Sequence, residues 1–201
     1  MTTIITGDII KSRRHSNNEW LADFKKLLNT IGKSPAKWEI YRGDEFQIEA
    51  APEEAILTAI LIKSFLKTQK LDARLAIGVG EKDYVAKKIT ESNGSAFVRS
   101  GELFETLRSE KLTLAINSAD ADFNVEMNLF LKFAAILMNN WLPQSAEFVK
   151  VALENRKMSQ EQLGIKLGIN QAAVSRRQKR SHFELIMELE TFYRTKISTI
   201  L

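Results

Sequence analysis

Lys37-Trp38-Glu39-Ile40-Tyr41-Arg42-Gly43-Asp44-Glu45-Phe46-Gln47-Ile48-Glu49-Ala50 decides the fold of the first half of the chain. Residues 37–41 and 46–50 each alternate apolar with polar side chains, the period of a half-buried strand, and a glycine followed by two acids separates them. The stretch therefore predicts a β-hairpin with Asp44 and Glu45 at its tip. Asp8 closes another apolar run, Ile4-Ile5-Thr6-Gly7. If the two strands are neighbours, three carboxylates converge at one sheet edge, a donor set that suits hard oxygen-ligated Mg²⁺ or Mn²⁺ and two-metal phosphoryl transfer. The plain alternative is that Asp44 is a good turn former beside Gly43.

Working outward, periodicity and punctuation predict strand 2–7, helix 17–31, strands 37–42 and 46–50, helix 52–69, strand 72–79, helix 95–108 and strand 111–116. Pro52-Glu53-Glu54 opens the second helix, because proline and acids suit a first turn. The order β-α-β-β-α-β, with one more helix and strand, implies an α+β fold: a ferredoxin-like antiparallel sheet with covering helices on one face. That topology sets Asp8 against Asp44 and Glu45. Past Asn117-Ser118-Ala119-Asp120-Ala121-Asp122 the strand signals stop, which predicts a domain of residues 1–118 and an all-helical one of residues 123–201. Helices are expected over 124–142, 144–156, 159–167, 171–179 and 182–198. Residues 124–141 are apolar around much of their circumference, so that helix belongs either in an inter-domain core or in a homodimer contact.

The 201 residues include no cysteine and two histidines, which excludes disulfides, thiolate metal sites and a cysteine nucleophile. The N-terminus carries no basic-then-apolar leader, and the most apolar segment is interrupted by Glu126, Asn128 and Lys132. A cytoplasmic protein without a membrane span is the expectation. Net charge is +4, yet residues 155–180 hold seven basic side chains against Glu161 alone, a local +6 that leaves −2 for the rest. A basic face confined to one end is the footprint of a nucleic-acid-binding module.

Ser159 to Lys179 explains that footprint. Ser159 with Gln162 forms a capping box, Gly168 supplies a tight turn, Asn170 caps a second helix, and Leu163, Leu167, Ile169 and Val174 fall where two short crossing helices need contact. The stretch 159–179 thus predicts a helix-turn-helix. Gln171, Ala172, Ser175 and Arg176 would face base edges in the major groove, while Arg177, Lys179 and Arg180 would meet phosphates. Gly164 stands where alanine is usual in such motifs, at some cost in helix stability.

Ile5-Thr6-Gly7-Asp8-Ile9-Ile10-Lys11-Ser12-Arg13, Arg42 to Gln47, Arg74 to Gly80 and Gly94 to Gly101 together resemble the palm domain of nucleotidyl and diguanylate cyclases. The whole chain resembles SatD-like bacterial proteins, a family that brings no reaction with it. The cyclase resemblance implies that Asp8 and the backbone carbonyl of Ile9 bind metal, with Asp44 or Glu45 completing the site, and that Lys11, Arg13 and Arg99 meet nucleotide phosphates. Arg42 replaces the first glycine of the cyclase turn, where a guanidinium either binds phosphate or blocks the pocket; Ile10 replaces the second acid of strand one. Three functions follow as expectations. The first is a DNA-binding transcription regulator with a nucleotide-sensing domain, and the second is an active Mg²⁺-dependent cyclase or nucleotidyltransferase carrying a DNA-binding appendage. The third is a scaffold whose acids only form turns.

Overall fold

The computed structural model describes residues 1–12 and 19–201. Its elements run β1 (Thr2–Ile10), α1 (Glu19–Ile31), β2 (Trp38–Tyr41), β3 (Glu45–Ala50), α2 (Ala55–Thr68), β4 (Asp72–Gly80), α3 (Ser95–Glu110) and β5 (Leu114–Asn117). Five more helices follow: α4 (Ala121–Asn139), α5 (Pro143–Glu154), α6 (Gln160–Leu167), α7 (Gln171–Ser181) and α8 (Phe183–Ile197). The molecule is thus a mixed α+β protein with a five-stranded sheet and eight α-helices among the described residues. Pro52-Glu53-Glu54 forms a single 3₁₀ turn ahead of α2 and does not belong to the helix itself.

The strand order is β2-β3-β1-β4-β5. β1 lies antiparallel to β3 and β4, and β2 antiparallel to β3, but β5 runs parallel to β4, so the sheet is not antiparallel throughout. The helix α3 makes the difference, since it carries the chain back before β5 begins and a returning crossover yields a parallel neighbour. Covering helices on a single face are also corrected. Successive side chains of a strand point to opposite faces, and β1 divides accordingly. Ile5 and Ile9 join the core with Phe24 of α1 and Ile56 of α2, whereas Ile4 packs with Ala96 and Phe97 of α3. Thr6 donates to the Ser100 hydroxyl at 3.0 Å on that second face. Gly78 makes the close approach of α3 feasible, because a Cβ there would lie 2.2 Å from the Ala96 carbonyl oxygen.

One core cluster continues from the sheet into the later helices, from Ile5, Phe46 and Ile77 through Phe123, Met127 and Phe148 to Val174 and Tyr193. Tyr193 of α8 is wholly buried and donates its hydroxyl hydrogen to the Pro52 carbonyl at 2.5 Å, while Arg194 pairs with Glu54 at 2.9 Å. Residues on both sides of the polar stretch 117–122 therefore share an interior. Asn128 of α4 completes the junction: its side-chain oxygen accepts from the Ile116 N–H at 2.9 Å and its amide donates to the Ile116 carbonyl at 2.8 Å. An amide that pairs with both backbone groups seals the outer edge of β5, which an unpaired strand would leave open to other chains. No helix of the described residues is long and apolar enough to cross a membrane.

Candidate functional site

The acid end of the sheet is built by register. β1 continues to Ile10, three residues past the expected end, so Asp8 lies inside the strand and not at its tip. Its Cα partners are Glu45 on β3 and Arg74 on β4. The hairpin turn folds back on β1, with the Asp44 carbonyl accepting from the Ile9 N–H at 3.0 Å and the Asp44 carboxylate accepting from the Ser12 hydroxyl at 3.0 Å. Asp8, Ile9, Asp44 and Glu45 are thus brought together. Lys11 and Arg42 flank them, and both hold left-handed backbone at φ 71° and 50°. Such a conformation costs a side-chain-bearing residue about 1–2 kcal/mol, and strain of this kind gathers at functional sites.

The charge arrangement differs from a cage of bare carboxylates. Arg74 donates to Asp8 Oδ2 at 2.7 Å while its Nε donates to the Leu112 carbonyl at 3.3 Å. Glu45 lies 3.9 Å from the Arg42 guanidinium and 3.8 Å from that of Arg108. Burial pushes the Asp8 carboxyl above its ordinary range; Arg74 and Arg108 work against that shift, and Asp44 and Glu45 add to it. Asp8 Oδ1 is buried and has no hydrogen-bond partner among the described residues. An orphan carboxylate oxygen is costly and calls for a donor or a cation. The donors offered, all carboxylate oxygens, suit Mg²⁺. As placed, however, the described residues hold no group of three acids, histidines or cysteines close enough to share one ion, and both Asp8 and Asp44 already have protein partners.

One of the predicted phosphate ligands lies elsewhere. Arg99 donates to the Val79 carbonyl at 2.7 Å, beside Gly80, which pairs with Thr2 at the far end of β1. Six strand residues separate that point from Asp8, on the order of 20 Å at the rise of a strand. Arg13 lies outside the described residues. Conversely, Arg74, Arg108 and Ser12 belong to the acid end and were not assigned to it from sequence. Arg74 is legible in hindsight from the register, since antiparallel strands starting at Thr2 and ending at Gly80 set residue 8 opposite residue 74; no short-range signal marks Arg108.

The second candidate surface lies on α6 and α7. Ser159 and Gln162 form the reciprocal capping box, Gly168 is left-handed at φ 64°, and the Asn170 side chain accepts from the Ala173 N–H. The Ile169 N–H returns to the Gly164 carbonyl at 2.9 Å, closing the C-terminal turn of α6. Gly164 has a reason to be glycine: a Cβ there would sit 2.7 Å from the Ile169 carbonyl oxygen. Leu163 and Val174 are buried between the helices. Trp141 donates its indole N–H to the Ser181 carbonyl at 2.9 Å, satisfying an end of α7 that its own helix leaves open.

Along α7, Gln171, Ala172, Arg176, Lys179 and Arg180 are exposed and Ser175 is half-buried. Arg177 points elsewhere, bonded to Glu147 of α5 at 2.7 Å, and so is held by the protein. The helix carries no acidic residue.

A sheet with an acid end and a capped, basic helix pair is the class of molecule that these elements define. The chain belongs to the SatD family, whose model matches residues 2–197. No curated protein and no solved structure matches it.

Proposed function

We propose that this protein binds duplex DNA through α7 and regulates transcription, and that the acid end of the sheet takes a nucleotide together with Mg²⁺ or Mn²⁺. One observation carries the DNA reading. The second helix of a capped, tightly turned pair presents Gln171, Ala172, Arg176, Lys179 and Arg180 to solvent and bears no acid. Glutamine and arginine can read adenine and guanine edges in the major groove, and lysine and arginine neutralise phosphates. In this reading α6 and α7 form the helix-turn-helix, and the strand order β2-β3-β1-β4 is that of a ferredoxin-like, cyclase-type palm. Asp8 Oδ1, beside Glu45 and without a partner among the described residues, favours a ligand at the sheet end.

An active cyclase is the weaker reading. Arg74 and Arg108 already offset charge that a pair of catalytic metal ions would need, so binding is favoured over turnover. A divalent ion there would supply charge neutralisation for nucleotide phosphates, with Asp8 and Glu45 holding it and Lys11 and Arg42 as candidates to meet the phosphates. The tests use the full chain, because one core spans both regions. Fluorescence anisotropy with labelled duplex DNA at low salt should show binding that falls steeply as salt rises. Arg176→Ala should lose sequence preference. Absence of any binding at low salt would sink the DNA reading. Asp8→Ala should abolish Mg²⁺-dependent nucleotide binding with the fold intact, and unchanged affinity in that variant counts against the site. Formation of product from any nucleoside triphosphate would favour the cyclase.

A further inference from the structure

The helix α4 has two apolar faces, and the core uses only one. Phe123, Met127, Leu131, Ala134, Ala135 and Met138 are buried. On the other side Val125, Leu129, Phe133 and Ile136 are 74%, 55%, 62% and 59% exposed. Their spacing of four, four and three residues draws one stripe along the helix. Beside the stripe, Phe130, Leu185 and Phe192 help to line a groove of about 250 Å³ between α4 and α8, in which Glu188 is the one charged lining residue among the described residues. Phe130 meets Phe192 edge to face at 5.2 Å, so the groove wall is ordered by packing.

We propose that this face is the contact between two copies of the chain, with the two α4 helices antiparallel across a two-fold axis. Size supports a second copy as the occupant. The bare side chains amount to on the order of 600 Å², the upper end of what a monomer leaves exposed and most of the roughly 800 Å² that each partner gives to a stable interface. The stripe is also close to palindromic, as a two-fold contact requires, since the same patch must complement itself. With the axis near residue 131, Leu129 meets Phe133 of the second copy and Val125 lies near Ile136 of the second copy, so the four stripe residues face one another. The contact does not depend on DNA being the ligand.

The oligomeric state of the full chain decides it. Sedimentation velocity should give a mass twice the chain's 22.8 kDa at micromolar concentration. Phe133→Asp should weaken the dimer by at least about 30-fold, the effect of removing one central anchor, while the single chain keeps its folded circular-dichroism spectrum because the side chain is exposed in one copy. The chain has no cysteine, so a second measurement is clean. Mixing Leu129→Cys with Phe133→Cys protein under mild oxidation should give the mixed disulfide in preference to either self-pair. A single-chain mass at high micromolar concentration would overturn the proposal, as would a Phe133→Asp dimer of unaltered affinity. A monomer that floats with lipid vesicles would make the face a lipid contact, and that outcome overturns it too.

Discussion

The acid end of the sheet and the α6–α7 helix pair both concentrate charge, but they handle it in opposite ways. At the sheet end almost every charge is answered inside the protein: Asp8 by Arg74, Glu45 by Arg42 and Arg108, and nearby Asp72 by Lys63 and Lys67. On α7 four basic residues stand within eleven, and among the described residues only Arg177 finds a carboxylate. Charge balanced within a fold acts chiefly on stability, since a buried ion without its partner is expensive. Charge left unbalanced on a surface acts on what comes near, through a field that extends about a Debye length. The contrast separates a region whose charges are largely paired within the fold from one whose charges largely face solvent.

The largest break in that contrast should come from Asp72→Ala. Lys63 is wholly buried, and its ammonium donates to Asp72 Oδ1 at 2.6 Å and to the Ala73 carbonyl at 3.0 Å. Removing Asp72 strands that charge, and unfolding by denaturant should show a loss of about 3–5 kcal/mol. Burial already lowers the Lys63 pKa from 10.5, with Asp72 opposing the shift, so the variant's pKa falls further. Between that lowered value and 10.5 the unfolded chain holds the proton and the folded one does not. Stability therefore rises with pH there, and the deficit should shrink as the solution is made alkaline. A loss below about 1 kcal/mol would mean that the sheet end is not internally balanced.

Next in size is Gly164→Ala. Its new Cβ meets the Ile169 carbonyl, and overpacking of this kind costs about 1–3 kcal/mol, offset in part by about 1 kcal/mol of helix propensity. A raised melting temperature would show that the turn between α6 and α7 has room to relax.

A smaller effect is expected at Asp8. Its folded pKa is raised, first by burial, so its contribution to stability is fully present below the ordinary 3.8 and is lost as pH rises through the folded value. Asp8→Asn should remove that slope from the acid limb of a pH–stability curve. An unchanged slope would place the titration on another group. The smallest effect on stability belongs to Lys179→Ala, within about 0.5 kcal/mol as for any exposed site. If α7 faces phosphates, the same change should still flatten the salt dependence of DNA binding by about 0.9 in the log–log slope.

How much of this was legible in the sequence follows the range of the interactions. The capping box of Ser159 and Gln162, the left-handed Gly168 and the Asn170 cap each join residues within about one turn, and all were readable from spacing alone. The hairpin was readable for the same reason, since strand alternation and turn residues are local. By itself the sequence also determined that β1 and β3 carry their acids to one edge, because alternation and the order of elements leave few pairings. It did not reveal that β5 runs parallel to β4, or that α3 covers the face opposite α1 and α2. It also left open that Arg99 lies far from Asp8 while Arg108, nine residues later, lies beside Glu45. Only the tertiary structure decided these, together with the second apolar face of α4. Each depends on which surfaces meet across tens of residues, and side-chain periodicity records that a face is apolar without recording what covers it.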